Sequence, residues 1–214
     1  YRKHINIPFI CNVRFDTSQE VFELLKEAGC GGVQLGLETA NEQMRNRLLA
    51  KNLKQERIFA TAGLLHRIGL RFLTTSMINL PGETLEQAIE TVKLNVIIKP
   101  NRIRVGQLMP IPSLPIVKYA KEEGYLDPDF GVDQFNDSNK SYLKTPYPEE
   151  FFLLTQYAAI LELFPSWQSW IFSLIRRKKR VGWLMRFGTL YNFYSEYRWF
   201  RFSVFCGLRF FFNV

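Results

Sequence analysis

The sequence predicts an α/β fold in which parallel strands alternate with helices. Apolar, β-branched stretches of strand length recur four times between Phe9 and Met109. Between them lie segments whose apolar residues follow helical spacing. Capping residues open several of these segments, and glycine or proline closes them. Strands joined by helices run parallel, with right-handed crossovers. Two architectures satisfy this pattern: an open doubly wound sheet, or a piece of a β/α barrel. Both bind ligands at the carboxyl ends of the strands.

The first strand is FICNVRF, Phe9 to Phe15. Thr17 with Glu20 reads as a capping box for a helix striped by Val21, Leu24, Leu25 and Ala28, stopped at Gly29. GVQLGLE, Gly32 to Glu38, is the second strand, and its apolar interior suits burial on both faces. A short polar helix is expected over Glu42–Leu49, then a longer one from Gln55 to Ile68, ended by Gly69. RFLTTSMI, Arg71 to Ile78, is the third strand. Thr84 with Gln87 is a second capping box, opening a helix lined by Leu85, Ala88, Ile89, Val92 and Val96 and closed by Pro100. RIRVGQLM, Arg102 to Met109, is the fourth strand, followed by PIPSLP and a helix over Ile116–Glu123.

The shared edge of these strands carries Arg14, Glu38-Thr39, Asn79 to Glu83 and Met109 to Pro112. Glu38 can accept hydrogen bonds from a ribose diol, or cap the next helix in solvent. Arg14 can clamp a carboxylate, or pair with Asp16 or Glu20. The Pro81-Gly82 turn admits a flat ligand, or is a plain corner. Glu83 suits the start of a helix, where the dipole favours a carboxylate. His4 and His66 are the two histidines, and no Ser-His-Asp set, G-x-x-x-x-G-K-[ST] loop or G-x-G-x-x-G turn is found. Cys11, Cys30 and Cys206 are too widely spaced for a disulfide framework or a self-contained metal site, which favours a reducing, cytoplasmic setting. No run of about 18 apolar residues marks a transmembrane helix. The residues favour a site for a cofactor-like ligand.

Three blocks in order, AGCGGVQLGLETANEQMRNRL, HRIGLRFLTTSMINLPGET and LMPIPSLPIVKYAKEEGYL, resemble the radical S-adenosylmethionine (radical SAM) superfamily. Within it the sequence is similar to the branch that carries an N-terminal cobalamin-binding domain, and PFICNVRFD resembles that branch's third barrel strand. The resemblance runs over roughly residues 5–126. It implies a partial (β/α) barrel of the radical SAM type over residues 1–126, holding strands three to six. It also implies S-adenosylmethionine and a [4Fe-4S] cluster as cofactors, cleavage to a 5′-deoxyadenosyl radical, and cobalamin in a further domain. The family's cluster loop, C-x-x-x-C-x-x-C, follows its first strand and is not in this chain, so cluster and cobalamin sites are expected upstream of Tyr1. The chain on its own is then expected to be inactive.

Carried over residue by residue, Glu38 matches the acid that contacts the ribose hydroxyls. Ile78, Asn79 and Leu80 match a motif packed near the adenine, and Met109 with Pro110 borders the same base. Arg14 matches a polar position near the methionine part. Two positions depart from the pattern: Asn79 stands where the family reads Gly, and Ser113-Leu114 where it reads Gly-Thr. Asn79 either crowds the adenine or points away. The resemblance assigns no catalytic residue and no metal ligand here, and the substrate stays unidentified.

Residues 127–214 follow different physics. From residue 166 onward the chain holds nine Lys or Arg against one acid, Glu196, and that surplus equals the whole net charge of +8. All four tryptophans lie there too. PEEFFLLTQYAAILELF reads as an amphipathic helix. Three roles fit this basic, aromatic and mostly helical region. It can cover the open side of the barrel with its cations solvated, lie on an anionic membrane, or contact nucleic acid. An apolar substrate agrees with the second. The rival for the whole chain is a non-catalytic membrane- or nucleic-acid-binding protein on a degenerate α/β domain.

Overall fold

The computed structural model describes residues 4, 5, 7–134 and 142–212, with Gln134 and residues 201–212 as backbone only. Four parallel strands form one sheet: β1 (Phe9–Val13), β2 (Cys30–Glu38), β3 (Phe72–Ile78) and β4 (Arg102–Gln107). Their spatial order is the sequence order, β1-β2-β3-β4. Right-handed crossovers between successive neighbours keep every connecting helix on one face. That decides between the two architectures: the chain is a segment of a β/α barrel, since a doubly wound sheet reverses its strand order.

Side-chain direction agrees. Val33, Leu35 and Leu37 of β2 and Phe72 of β3 are fully buried with α1 (Gln19–Glu27) and α2 (Gln55–Ile68) in one core. Thr74 and Ser76 point the same way, toward α3 (Leu85–Ile98). The Thr74 hydroxyl donates to Asn95 Oδ1 at 2.6 Å, and the Asn95 amide donates to Ser76 Oγ at 3.0 Å. Asn12, Gln34, Gly36 and Thr75 take the opposite, concave face.

Two local expectations are corrected. The first helix is capped by Ser18 rather than Thr17, with Val21 N–H donating to its hydroxyl. Its last turn ends at Glu27, with Gly29 beyond it at φ +91°. The polar stretch after β2 is a π-helical turn over Met44–Leu48, not a regular helix. Thr84 and Gln87 do form a reciprocal capping box on α3, and α2 spans Gln55–Ile68 with Gly69 left-handed behind it. Helix α4 (Pro115–Glu122) packs across the end of β4 with Leu80, Leu108 and Leu126.

Helix α5 (Pro148–Leu163) is apolar on all sides, not amphipathic. Phe151, Leu154 and Tyr157 bury against Ile78, Ile89 and Val92, so α5 shares one core with β3 and α3. A helix buried over most of its circumference needs a cover, and α6 (Gln168–Arg176) and α7 (Gly182–Phe212) supply it. Gly188 lets α7 approach α5 closely, since a Cβ there would sit 2.8 Å from the Gln156 carbonyl oxygen. Farther along, α7 reaches β4. Buried Arg102 donates to Asn192 Oδ1 at 2.8 Å and pairs with Glu162 and Glu196, both at 3.3 Å. Arg104 pairs with Glu196 at 2.6 Å. Trp199 adds to the contact, buried against Gly32 and beneath the Arg71 guanidinium. Most of the polar loop after Asp133, with Arg201, Cys206 and Arg209 (except as backbone), lies outside the described residues.

Candidate functional site

A cleft of about 360 Å³ opens at the carboxyl ends of β1 and β2. Asn12, Arg14, Gln34, Gly36, Glu38 and Lys51 are among the residues that line it. Glu38 is its best-defined acid. It ends β2 at φ +65°, a left-handed conformation that a residue with a Cβ adopts at a cost of about 1–2 kcal/mol. The carboxylate folds back over the strand: a Cβ on Gly36 would lie 2.4 Å from Glu38 Oε1. Only glycine at position 36 leaves room for it. At 8% exposure Glu38 is no solvated helix cap, and Asn41 caps the next turn instead, accepting from Met44 N–H at 3.0 Å.

The loop after β2 brings a cation to this carboxylate. Arg45 is fully buried and donates to the carbonyls of Thr39 (2.7 Å) and Leu53 (3.0 Å). Asn46 Oδ1 accepts from Leu53 N–H at 2.7 Å. These bonds tie both ends of the loop, and Lys51 Nζ reaches Glu38 Oε1 at 2.7 Å. Burial lowers the Arg45 pKa, with Glu42 opposing. Arg14 closes the rim. Its fork is bidentate to Asp16, at 2.9 and 3.0 Å, and its Nη2 also donates to the Lys51 carbonyl at 2.9 Å. Hydrogen bonding from Arg14 holds the Asp16 carboxyl below its ordinary value. So the ion pair with Asp16 forms, and Arg14 still borders the cleft.

The structure brings Arg14 and Glu38 together, and it adds Lys51 and Gly36. Lys51 carried no sequence signal, because a lysine in a polar loop reads as solvated. The other expected residues share the strand edge but do not line the cleft. Ile78 faces the helices. Leu80 packs under α4. Met109 is exposed and Pro110 buried beyond the end of β4. Asn79 is buried at φ +60°, and its amide donates to Gln107 Oε1 at 3.2 Å. The side chain therefore turns toward β4. The left-handed backbone accounts for a glycine-like position, and Asn tolerates it better than most residues do. Glu83 bends back from the helix start to accept from Leu80 N–H at 3.1 Å, and burial pushes its carboxyl up to about 7.

Residues 1–94 match the family model described as Radical SAM superfamily. The match contains β1 to β3 and the cleft residues Arg14, Gly36, Glu38 and Lys51. No curated protein matches the chain. Among solved structures, it is similar to Elp3 of the archaeon Methanocaldococcus infernus, in a form lacking residues 1–46. That similarity has 16% identity and a TM-score of 0.54, over 72% of this chain and 32% of that one. It is also similar to coproporphyrinogen III oxidase (HemN) of Escherichia coli, a radical SAM enzyme, at 18% identity and a TM-score of 0.49. That match covers 76% of this chain and 32% of the other. The chain thus spans about a third of each of these proteins, and the Elp3 likeness supports the fold.

Proposed function

We propose that this chain is the C-terminal part of a radical SAM enzyme and that its cleft binds S-adenosylmethionine. Glu38 carries the reading. A carboxylate held in a costly conformation over a glycine, at the carboxyl edge of a barrel segment, suits a vicinal diol. Such strain inside a cleft favours a ligand role over a structural one. Glu38 accepts the ribose hydroxyls, with Lys51 fixing the carboxylate's position. Arg14 and Lys51, paired with Asp16 and Glu38, keep further N–H donors at the rim for the methionyl carboxylate. Asn12 and Gln34 offer amides on the concave face. The ribose, amine and carboxylate of the ligand match this mixture of charges.

The cleft fits S-adenosylmethionine in chemistry; it does not fit an iron–sulfur cluster. Among the described residues no group of three His, Cys, Asp or Glu is placed to hold a metal. Cys11 and Cys30 lie 3.9 Å apart across β1 and β2, and burial pushes the Cys11 thiol up to about 11, away from the thiolate a cluster needs. A [4Fe-4S] cluster would have to be held by residues other than these, and would supply the electron for cleaving S-adenosylmethionine. Cobalamin-dependent methyl transfer, or a related radical modification, is the proposed use of the product radical.

The test is anaerobic reduction of the full-length, cluster-reconstituted protein with S-adenosylmethionine. Formation of 5′-deoxyadenosine is expected. A cluster-loaded protein that binds S-adenosylmethionine yet forms none contradicts the enzymatic reading and favours the non-catalytic rival.

A further inference from the structure

The outward face of α7 is the least expected surface of the molecule. The buried face consists of Leu184, Gly188, Tyr191, Ser195 and Trp199. The opposite face should then carry the cations and other polar groups. It does not. Trp183, Leu190, Phe193, Tyr194 and Tyr197 are 59%, 70%, 74%, 54% and 54% exposed. Arg186 and Arg198 are interspersed among them, and Arg198 lies over the Tyr194 ring. The one acid between Gly182 and Phe200 is Glu196, and it is engaged by Arg102 and Arg104. From Trp183 to Phe200 the face is roughly 26 Å long at the helical rise.

We propose that this face docks on an anionic lipid bilayer, with α7 lying in the plane of the interface. Tryptophan and tyrosine suit that depth, where one end of the ring is apolar and the other wet. Leucine and phenylalanine enter the acyl boundary, and arginine meets the anionic headgroups. Aromatic continuity extends the patch: Phe187 meets Phe164, which stacks on Trp167, which meets exposed Trp170. Exposed Arg177 and Lys179 add positive charge beside the start of α7. Their neighbours Arg176, Lys178 and Arg180 are paired with Glu86, Glu150 and Glu149.

Two other occupants fit less well. A second copy, packed face to face, would bring arginines against arginines with no acid between them. Nucleic acid is gripped mainly through phosphates by clustered cations, whereas this face is mostly hydrocarbon and ring. Among the described residues no helix is long and apolar enough to cross a membrane.

The test is sedimentation of the full-length protein with phosphatidylcholine vesicles, with and without phosphatidylglycerol. Binding to the anionic vesicles is expected, weakening as salt rises. Replacing Leu190→Glu and Phe193→Glu together should reduce partitioning by more than about tenfold. Arg186→Gln or Arg198→Gln should each reduce it roughly fivefold. These positions are solvent-exposed, so the circular dichroism spectrum and S-adenosylmethionine binding should not change; the proposal stands independently of the cofactor site. It is overturned by absence of binding to either vesicle, or by unchanged binding of the double variant. It is equally overturned by RNA binding without vesicle binding, or by a dimer that these variants dissociate without any vesicle binding.

Discussion

Glu38 and Gly36 act as a pair at the scale of single residues. The left-handed backbone at Glu38 turns its carboxylate back over the strand, and the missing Cβ at Gly36 gives it somewhere to lie. Gly36→Ala tests the pair without touching the acid. The new methyl meets the flexible end of a side chain, not backbone, so the carboxylate moves and the fold stays. Stability should change by less than about 1 kcal/mol in urea unfolding. Affinity for S-adenosylmethionine should fall about tenfold, the value of one charge-assisted hydrogen bond. Equal affinity would mean that the carboxylate's position is unimportant. The acid itself was legible in the sequence, because a charged residue ending an apolar strand stands out. Its left-handed backbone, and the partnership with Lys51, were not. Both depend on how Arg45 and Asn46 tie down the loop, and no periodicity encodes that.

Among the elements, the turn between β3 and α3 carries a pH signature. Glu83 is buried, and its carboxyl sits at about 7 instead of the ordinary 4.5. Its folded-state value is thus raised, so between about pH 4.5 and 7 the folded chain binds more protons than the unfolded one. Stability contributed at this site is greatest below that window, falls as pH rises through it, and reaches its minimum above about pH 7. The shift corresponds to a few kcal/mol. Glu83→Gln should flatten this slope in urea unfolding followed from pH 5 to 8, and raise stability at pH 8. A slope unchanged by the substitution would assign it to another group. The elements themselves were the most legible part of the fold, because Thr84, Gln87 and Gly69 act locally through caps. The π-helical turn at Met44–Leu48 was hidden, since its shape follows from a buried arginine rather than from local propensity.

At the scale of the whole molecule, the chain is a barrel segment with a helical strap. The strand order settles the sheet as singly wound, which composition left open. The tail was legible as basic, aromatic and helical. Its arrangement was not: α5 lies in the core, and α7 turns its aromatic side outward while its one acid, Glu196, faces inward to β4. Charge counting treats all cations as solvated, whereas Arg102 is buried in a network with Glu162, Asn192 and Glu196. This strap leaves the carboxyl edge of β1 and β2 open, where the cleft lies. Titration of the full-length protein and its Glu38→Ala variant with S-adenosylmethionine, followed calorimetrically, tests that assignment most directly. The wild-type protein should bind one equivalent, and the variant about tenfold to a hundredfold more weakly, with its fold intact. Equal affinity in both proteins would contradict it.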